Sequence, residues 1–399
     1  MNTSTTRFSR FAPITVAALI AFAGFVVAGP LNPPTGPVTS TGKTMTEVEP
    51  RIAINATNTP GGVNYTYYIN KPGSYYLTGN IIGEAGKDGI GIETSGVTID
   101  LNGFEVVGVN GSHNGIFFVA NSASDFVLRN GTVRNWGQNG VNTATYSPQG
   151  VEIIGVHANN NALSGIIAAH RARILDCEAK GNTSRGIYAG DRSVIEGCSV
   201  WNNGGLGIET AGHCVIRRCE ARGNGAAGIL TNTFATISDC LAFENTNSGI
   251  NAAAQSVIEN CTASMNQSIG ILAAAACTVR NNHVSNNDID GIRVTSQCVV
   301  TGNSSNNNGV NSTVGAGIHA TLADNRIEGN NCGFQDIGFD IDVAGNFLSR
   351  NTATNNTANW SVVAGNKCLV VLGVNCANIQ GDAGGVSPGS TDPNANFTY

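Results

Sequence analysis

Arg293, His319 and Asp340 each stand two residues after a glycine, Gly291, Gly317 and Gly338, so they occupy one position of a repeat on successive units. Set side by side, a guanidinium stabilises a developing anion, an imidazole gives or takes a proton, and a carboxylate orients the imidazole. That is the equipment for β-elimination from a uronate or for hydrolysis of a glycosidic bond. Asp288, Asp290 and Asp342 lie close by in sequence and offer hard oxygen ligands for Ca²⁺. Upstream the same position reads Glu209, Leu230, Asn251 and Leu272, so the competing reading is a salt-bridge column that offsets like charges along a sheet face.

A second column reads Lys180, Trp201, Arg222 and Phe243, alternating cations with aromatics at a step of 21 residues. Such a column presents stacking faces for the sugar rings of a polysaccharide, or it forms a cation-π ladder that needs no ligand. His113, His157, His170, His213 and His283 are scattered without metal-ligand spacing. The chain holds no Gly-rich phosphate loop, no Ser-His-Asp order and no CxxC pair.

The element that must position these columns is a repeat. Glycine followed by an aliphatic residue returns at Gly165, Gly186, Gly207, Gly228, Gly249, Gly270 and Gly291, a step of 21. Cysteine keeps the step from Cys177 to Cys261, and asparagine from Asn182 to Asn308. That period is too short for a helical hairpin and means one coil of a solenoid per repeat. In the coil from Gly186, three short alternating runs, Ile187–Ala189, Ser193–Glu196 and Cys198–Trp201, are separated by turns. They predict three strands per coil, with Ile187, Ala189, Ser193, Ile195, Cys198 and Val200 pointing inward. The asparagine column is expected to close the third strand, accept left-handed angles and bond along the axis. Ile195 to Asn203 also imitates a leucine-rich repeat, but that fold needs further leucines where this chain has Gly-Ile and small residues.

Continuing the frame through Gly140, Gly115 and Gly91 in one direction, and Gly317, Gly338 and Trp360 in the other, predicts about thirteen coils, roughly 4.8 Å apart. The insertion from Asn306 to Val314 is expected to form a rim loop. Residues 46–90 are expected to hold an N-terminal cap and first strands, 91–365 the solenoid, and 366–399 a C-terminal cap and tail in which Phe397 and Tyr399 can dock on the last coil.

Ahead of these, Arg7, Arg10 and an apolar stretch ending at Ala28 predict a signal peptide over 1–28, followed by a Pro-rich linker over 29–45 and hence a secreted or cell-surface protein. Nothing later is long and apolar enough to span a membrane. A net charge of -6 without a basic run argues against nucleic acid. The 11 cysteines mostly share inward columns, where neighbours about 4.8 Å apart suit buried thiols better than disulfides; Cys368 and Cys376 are the better candidates for a bridge.

The runs Pro72-Gly73-Ser74-Tyr75-Tyr76-Leu77-Thr78-Gly79-Asn80 and Val97-Thr98-Ile99-Asp100-Leu101-Asn102-Gly103-Phe104, the Gly-Ile coils and the ending Asp392 to Phe397 resemble the right-handed parallel β-helix repeat proteins of the pectate-lyase-like superfamily. The resemblance implies an all-β, right-handed parallel β-helix with about 21 residues per coil. Its members include lyases, hydrolases, epimerases, adhesins and tailspikes, so it does not choose an activity. No paired-aspartate hydrolase motif and no calcium or arginine motif of pectate lyases is present. The reading is a rod that binds polysaccharide or serves as a surface structure, with a lyase or glycosidase at Arg293, His319 and Asp340 as its rival and a ligand-free adhesin as a third.

Overall fold

The structure is a computed structural model that describes residues 49–119, 124–145, 149–309, 314–368, 370–372 and 394–398. The chain divides into two units, Met1–Pro50 and Arg51–Tyr399. The predicted signal peptide, the Pro-rich linker and Cys376 lie outside the described residues.

The second unit is a parallel β-solenoid. A front sheet holds 14 strands and a back sheet 28 among the described residues. Each regular coil gives one strand to the front sheet and two to the back, for example Ile187–Ala189, then Val194–Glu196 and Ser199–Trp201. Equivalent residues pair 21 apart, as Ile187 with Ile208 and Ile208 with Ile229. The described residues contain no helix long and apolar enough to cross a membrane.

The alternation explains the coil. Ile187, Ala189, Ile195, Cys198 and Val200 point inward and are buried, each large aliphatic contributing roughly 1.5–3 kcal/mol by leaving water. The coil turns its corners at single residues in the left-handed region, Arg192, Gly197 and Asn202, with φ of 59°, 65° and 53°. The left-handed position is therefore Asn202, one residue before the asparagine column that was expected to hold it. Asn203 itself points inward, because only there can its amide stack on the coils above and below. It donates through Nδ2 to Asn224 Oδ1 at 3.0 Å and to the Ala179 carbonyl at 3.0 Å, while its backbone amide reaches Asn224 Oδ1 at 3.2 Å.

This ladder runs through eight asparagines, from Asn161 to Asn308. It also explains the glycine column. A Cβ on Gly207 would lie 2.5 Å from the Gly228 carbonyl oxygen and 2.7 Å from Asn224 Nδ2, so the two columns are halves of one contact. In the cysteine column, Asn282 takes over after Cys261 and starts a second amide ladder through Asn303, Asn330, Asn351 and Asn396. The stacked cysteines are free and buried, and Cys368 is free as well.

The ends differ from the expectation in two respects. Ile90, not Ile92, pairs with Ile116, so the repeat glycine of that coil is Gly89 and Gly91 is its outward residue. Gly89-Ile90-Gly91-Ile92 contains the Gly-Ile pattern twice, and only strand register separates the two frames. Tyr65–Ile69 already pairs with Asp88–Ile92, which adds a front-sheet strand within the segment read as cap and first strands. At the other end, Asn396–Thr398 pairs with Thr352–Thr354, and Phe397 lies opposite Thr352.

Candidate functional site

The front sheet sets Leu272, Arg293, His319, Asp340 and Ser361 opposite one another on consecutive strands. Their neighbours along each strand, such as Ile292, Val294, Ile318, Ala320, Phe339 and Ile341, are buried in the core. The pleat therefore holds this column on the outer face. The sequence-derived trio is brought together by register.

Asp290 organises the group. It sits in the corner before the strand Ile292–Val294, with its side chain 1% exposed. Its Oδ2 accepts from Arg293 Nε at 2.6 Å and lies 3.0 Å from His319 Nδ1, while Oδ1 accepts the Ala316 amide at 2.9 Å. Burial alone would raise its pKa, but the hydrogen bonds from His319 and the Ala316 amide and the charges of His319 and Arg293 prevail and hold it below the usual carboxylate range. The opposite balance acts on His319. Burial would lower its pKa, but Asp290 and Asp342 outweigh that and raise it. Its Nε2 stands 3.0 Å from Asp342 Oδ2 and 3.8 Å from Asp340 Oδ2.

The proposed oxygen set Asp288, Asp290 and Asp342 does not converge. Among the described residues, the acidic and imidazole groups whose ligand atoms lie within 4.8 Å of one another are His319, Asp340 and Asp342. Asp290 is excluded because both of its oxygens are taken up on the other side of the imidazole. Its orienting part was missed, although a sequence signal exists. On the neighbouring coils the position before the repeat glycine reads Ala227, Ser248, Ile269 and Ala316, all buried, so Asp290 is a charge among small or apolar neighbours, although the same position is charged at Asp88 and Arg185 on earlier coils. Arg185 was also missed; it pairs with Glu209 farther up the same face.

The second column is in register too, Lys180 beside Trp201, Arg222 and Phe243. Lys180 Nζ lies 3.8 Å from the centre of the Trp201 ring, and the Arg222 guanidinium 5.3 Å from that of Phe243. Arg222 also bonds Glu244 at 3.0 Å. These cations cover aromatic surface that a sugar ring would use, which is the ligand-free ladder geometry.

A family model described as the right handed beta helix region matches residues 88–256 and 194–334, together more than half of the chain. The chain belongs to this family of right-handed β-helix proteins. Among solved structures it is similar to the A-module of mannuronan C-5 epimerase AlgE4 from Azotobacter vinelandii, at 18% identity and a TM-score of 0.49, covering 69% of this chain and 87% of that one. It is also similar to the periplasmic alginate epimerase AlgG, at 14% identity and a TM-score of 0.45, covering 66% and 74%. The Dettilon tailspike protein matches at 12% identity and a TM-score of 0.40, covering 84% and 60%. No curated protein matches the sequence.

Proposed function

We propose that this chain is an exported β-helix protein that holds polysaccharide against the outer face of its front sheet, at Arg293, His319 and Asp340. The observation that carries this reading is the burial of Asp290. Taking a carboxylate out of water costs several kcal/mol unless it is well paired, and a salt bridge that merely balances surface charge has no need of a buried member. Here the buried charge fixes a guanidinium and an imidazole that remain on the outer face. Strands about 4.8 Å apart present such groups at regular steps, an arrangement suited to a linear polymer with repeating hydroxyl or carboxylate groups.

The test is retention of the mature chain in affinity gels cast with acidic or neutral polysaccharides. Arg293→Ala and His319→Ala are expected to abolish retention, with Trp201→Ala unaffected. Retention that survives Arg293→Ala and His319→Ala but fails in Trp201→Ala overturns the assignment and moves binding to the second column. The absence of retention on every glycan supports the ligand-free structural rod instead.

A second reading is a lyase or glycosidase, favoured by one observation: Nε2 of His319 faces two carboxylates, so proton donor and acceptors stand together beside Arg293. New reducing ends or the ultraviolet absorbance of unsaturated uronate, lost in His319→Ala, would establish it.

A further inference from the structure

We infer that His319 Nε2, Asp340 and Asp342 form a three-ligand site for a borderline divalent cation of the Zn²⁺ type. The inference goes beyond glycan binding and does not depend on it. Three features of the geometry support it.

The donor set is mixed. Ca²⁺ takes six to eight oxygens, whereas one imidazole with two carboxylates suits Zn²⁺ and its neighbours among the transition metals. With bonds of about 2.0–2.2 Å, tetrahedral ligand atoms stand roughly 3.3–3.6 Å apart. The observed separations from Nε2, 3.0 Å to Asp342 and 3.8 Å to Asp340, straddle that range. Small rotations of the two aspartates would admit an ion.

The imidazole is also backed by a carboxylate that is not itself a ligand. A metal-bound histidine almost always donates its other ring N–H to a carboxylate, carbonyl or water, which fixes ring and tautomer. Asp290 fills that place at 3.0 Å from Nδ1 and is itself held by Arg293 and the Ala316 amide. This independent, buried contact turns Nε2 toward Asp340 and Asp342.

Finally, three carboxylates face one guanidinium and one imidazole, an excess of negative charge that a dication offsets. The side chains of His319 and Asp340 are 17% and 15% exposed and that of Asp342 is 45% exposed. The ligands therefore line an open face where water or a sugar hydroxyl can complete the coordination.

The experiment is equilibrium dialysis of the full mature chain against ZnCl₂ with elemental analysis, repeated with CoCl₂ to read the visible spectrum. One ion per chain is expected, with a Co²⁺ spectrum of nitrogen and oxygen ligation. Asp342→Asn and His319→Ala should each weaken binding at least tenfold, and Asp290→Asn by about 10–100-fold through loss of orientation. Circular dichroism checks that each variant keeps its sheet; Asp342, on the exposed rim, is the substitution least exposed to folding effects. The proposal is overturned if the wild-type chain binds no ion, if Asp342→Asn and His319→Ala leave affinity unchanged, or if Co²⁺ shows thiolate charge-transfer bands from the cysteine columns. Displacement of Zn²⁺ by an equal concentration of CaCl₂ also overturns it.

Discussion

Truncating one asparagine in the middle of the amide ladder, Asn224→Ala, tests whether side-chain stacking holds the coils in register. Asn224 Oδ1 accepts from the Asn203 backbone amide at 3.2 Å and from Asn203 Nδ2 at 3.0 Å, and its own Nδ2 donates to the Val200 carbonyl at 3.2 Å and to Asn245 Oδ1 at 3.0 Å. The substitution removes all four bonds and leaves two buried N–H groups of Asn203 unpaired, the backbone amide and one N–H of Nδ2, whose other N–H still reaches the Ala179 carbonyl at 3.0 Å. At about 1–3 kcal/mol for each orphaned group, the two donors alone amount to about 2–6 kcal/mol. Water entering the vacated polar space returns part of this, so the expected loss is about 3 kcal/mol. Because solenoids open locally, between neighbouring coils, the assay is native-state hydrogen exchange at the Asn203 amide. Exchange there should be about a hundredfold faster, with Ser199→Ala, on the outer face of the same coil, as a nearly neutral control. Asn224→Asp should be worse than alanine, since its carboxylate meets the Val200 carbonyl and Asn245 Oδ1 with no donor to offer. A loss below about 1 kcal/mol with unchanged exchange would refute the view that the ladder stabilises the stack.

Other outcomes follow from the same geometry. Lys180→Met should cost less than about 1 kcal/mol in denaturant unfolding, the worth of an exposed cation-π contact, and leave glycan retention intact. Burial pushes the thiols of Cys332 and Cys368 up, Cys368 to about 11. Little thiolate then exists near neutral pH, so an aromatic disulfide reagent should label Cys332 only after unfolding; rapid labelling of the native chain contradicts this. Asn396→Ala removes the acceptor for the Asn351 amide and Nδ2, both at 2.9 Å. Hydrogen exchange should quicken in the last coils and stay unchanged near Gly165, which distinguishes local release of the end from global destabilisation.

Much of this molecule was legible in the sequence because a solenoid turns tertiary neighbours into a fixed sequence offset. Strand number per coil, the inward set around Ile195, the free thiols of the cysteine columns and the stacking of His319 on Asp340 follow from counting 21 residues, and Arg293 joins them once the Gly-Ile frame is carried across the longer step from Gly291 to Gly317. Counting failed where the spacing carried two answers: at Gly89-Ile90-Gly91-Ile92 either glycine satisfied the pattern, and only the pairing of Ile90 with Ile116 chose. It also could not reveal the direction of a side chain at a corner. Asp290 looked like a metal ligand beside Asp288, yet the turn buries it and points both oxygens at His319, Arg293 and the Ala316 amide. Periodicity sets which residues share a column, because strand register repeats. Which atoms face one another across that column depends on backbone angles and burial at each corner, and those exist only once the coils have stacked.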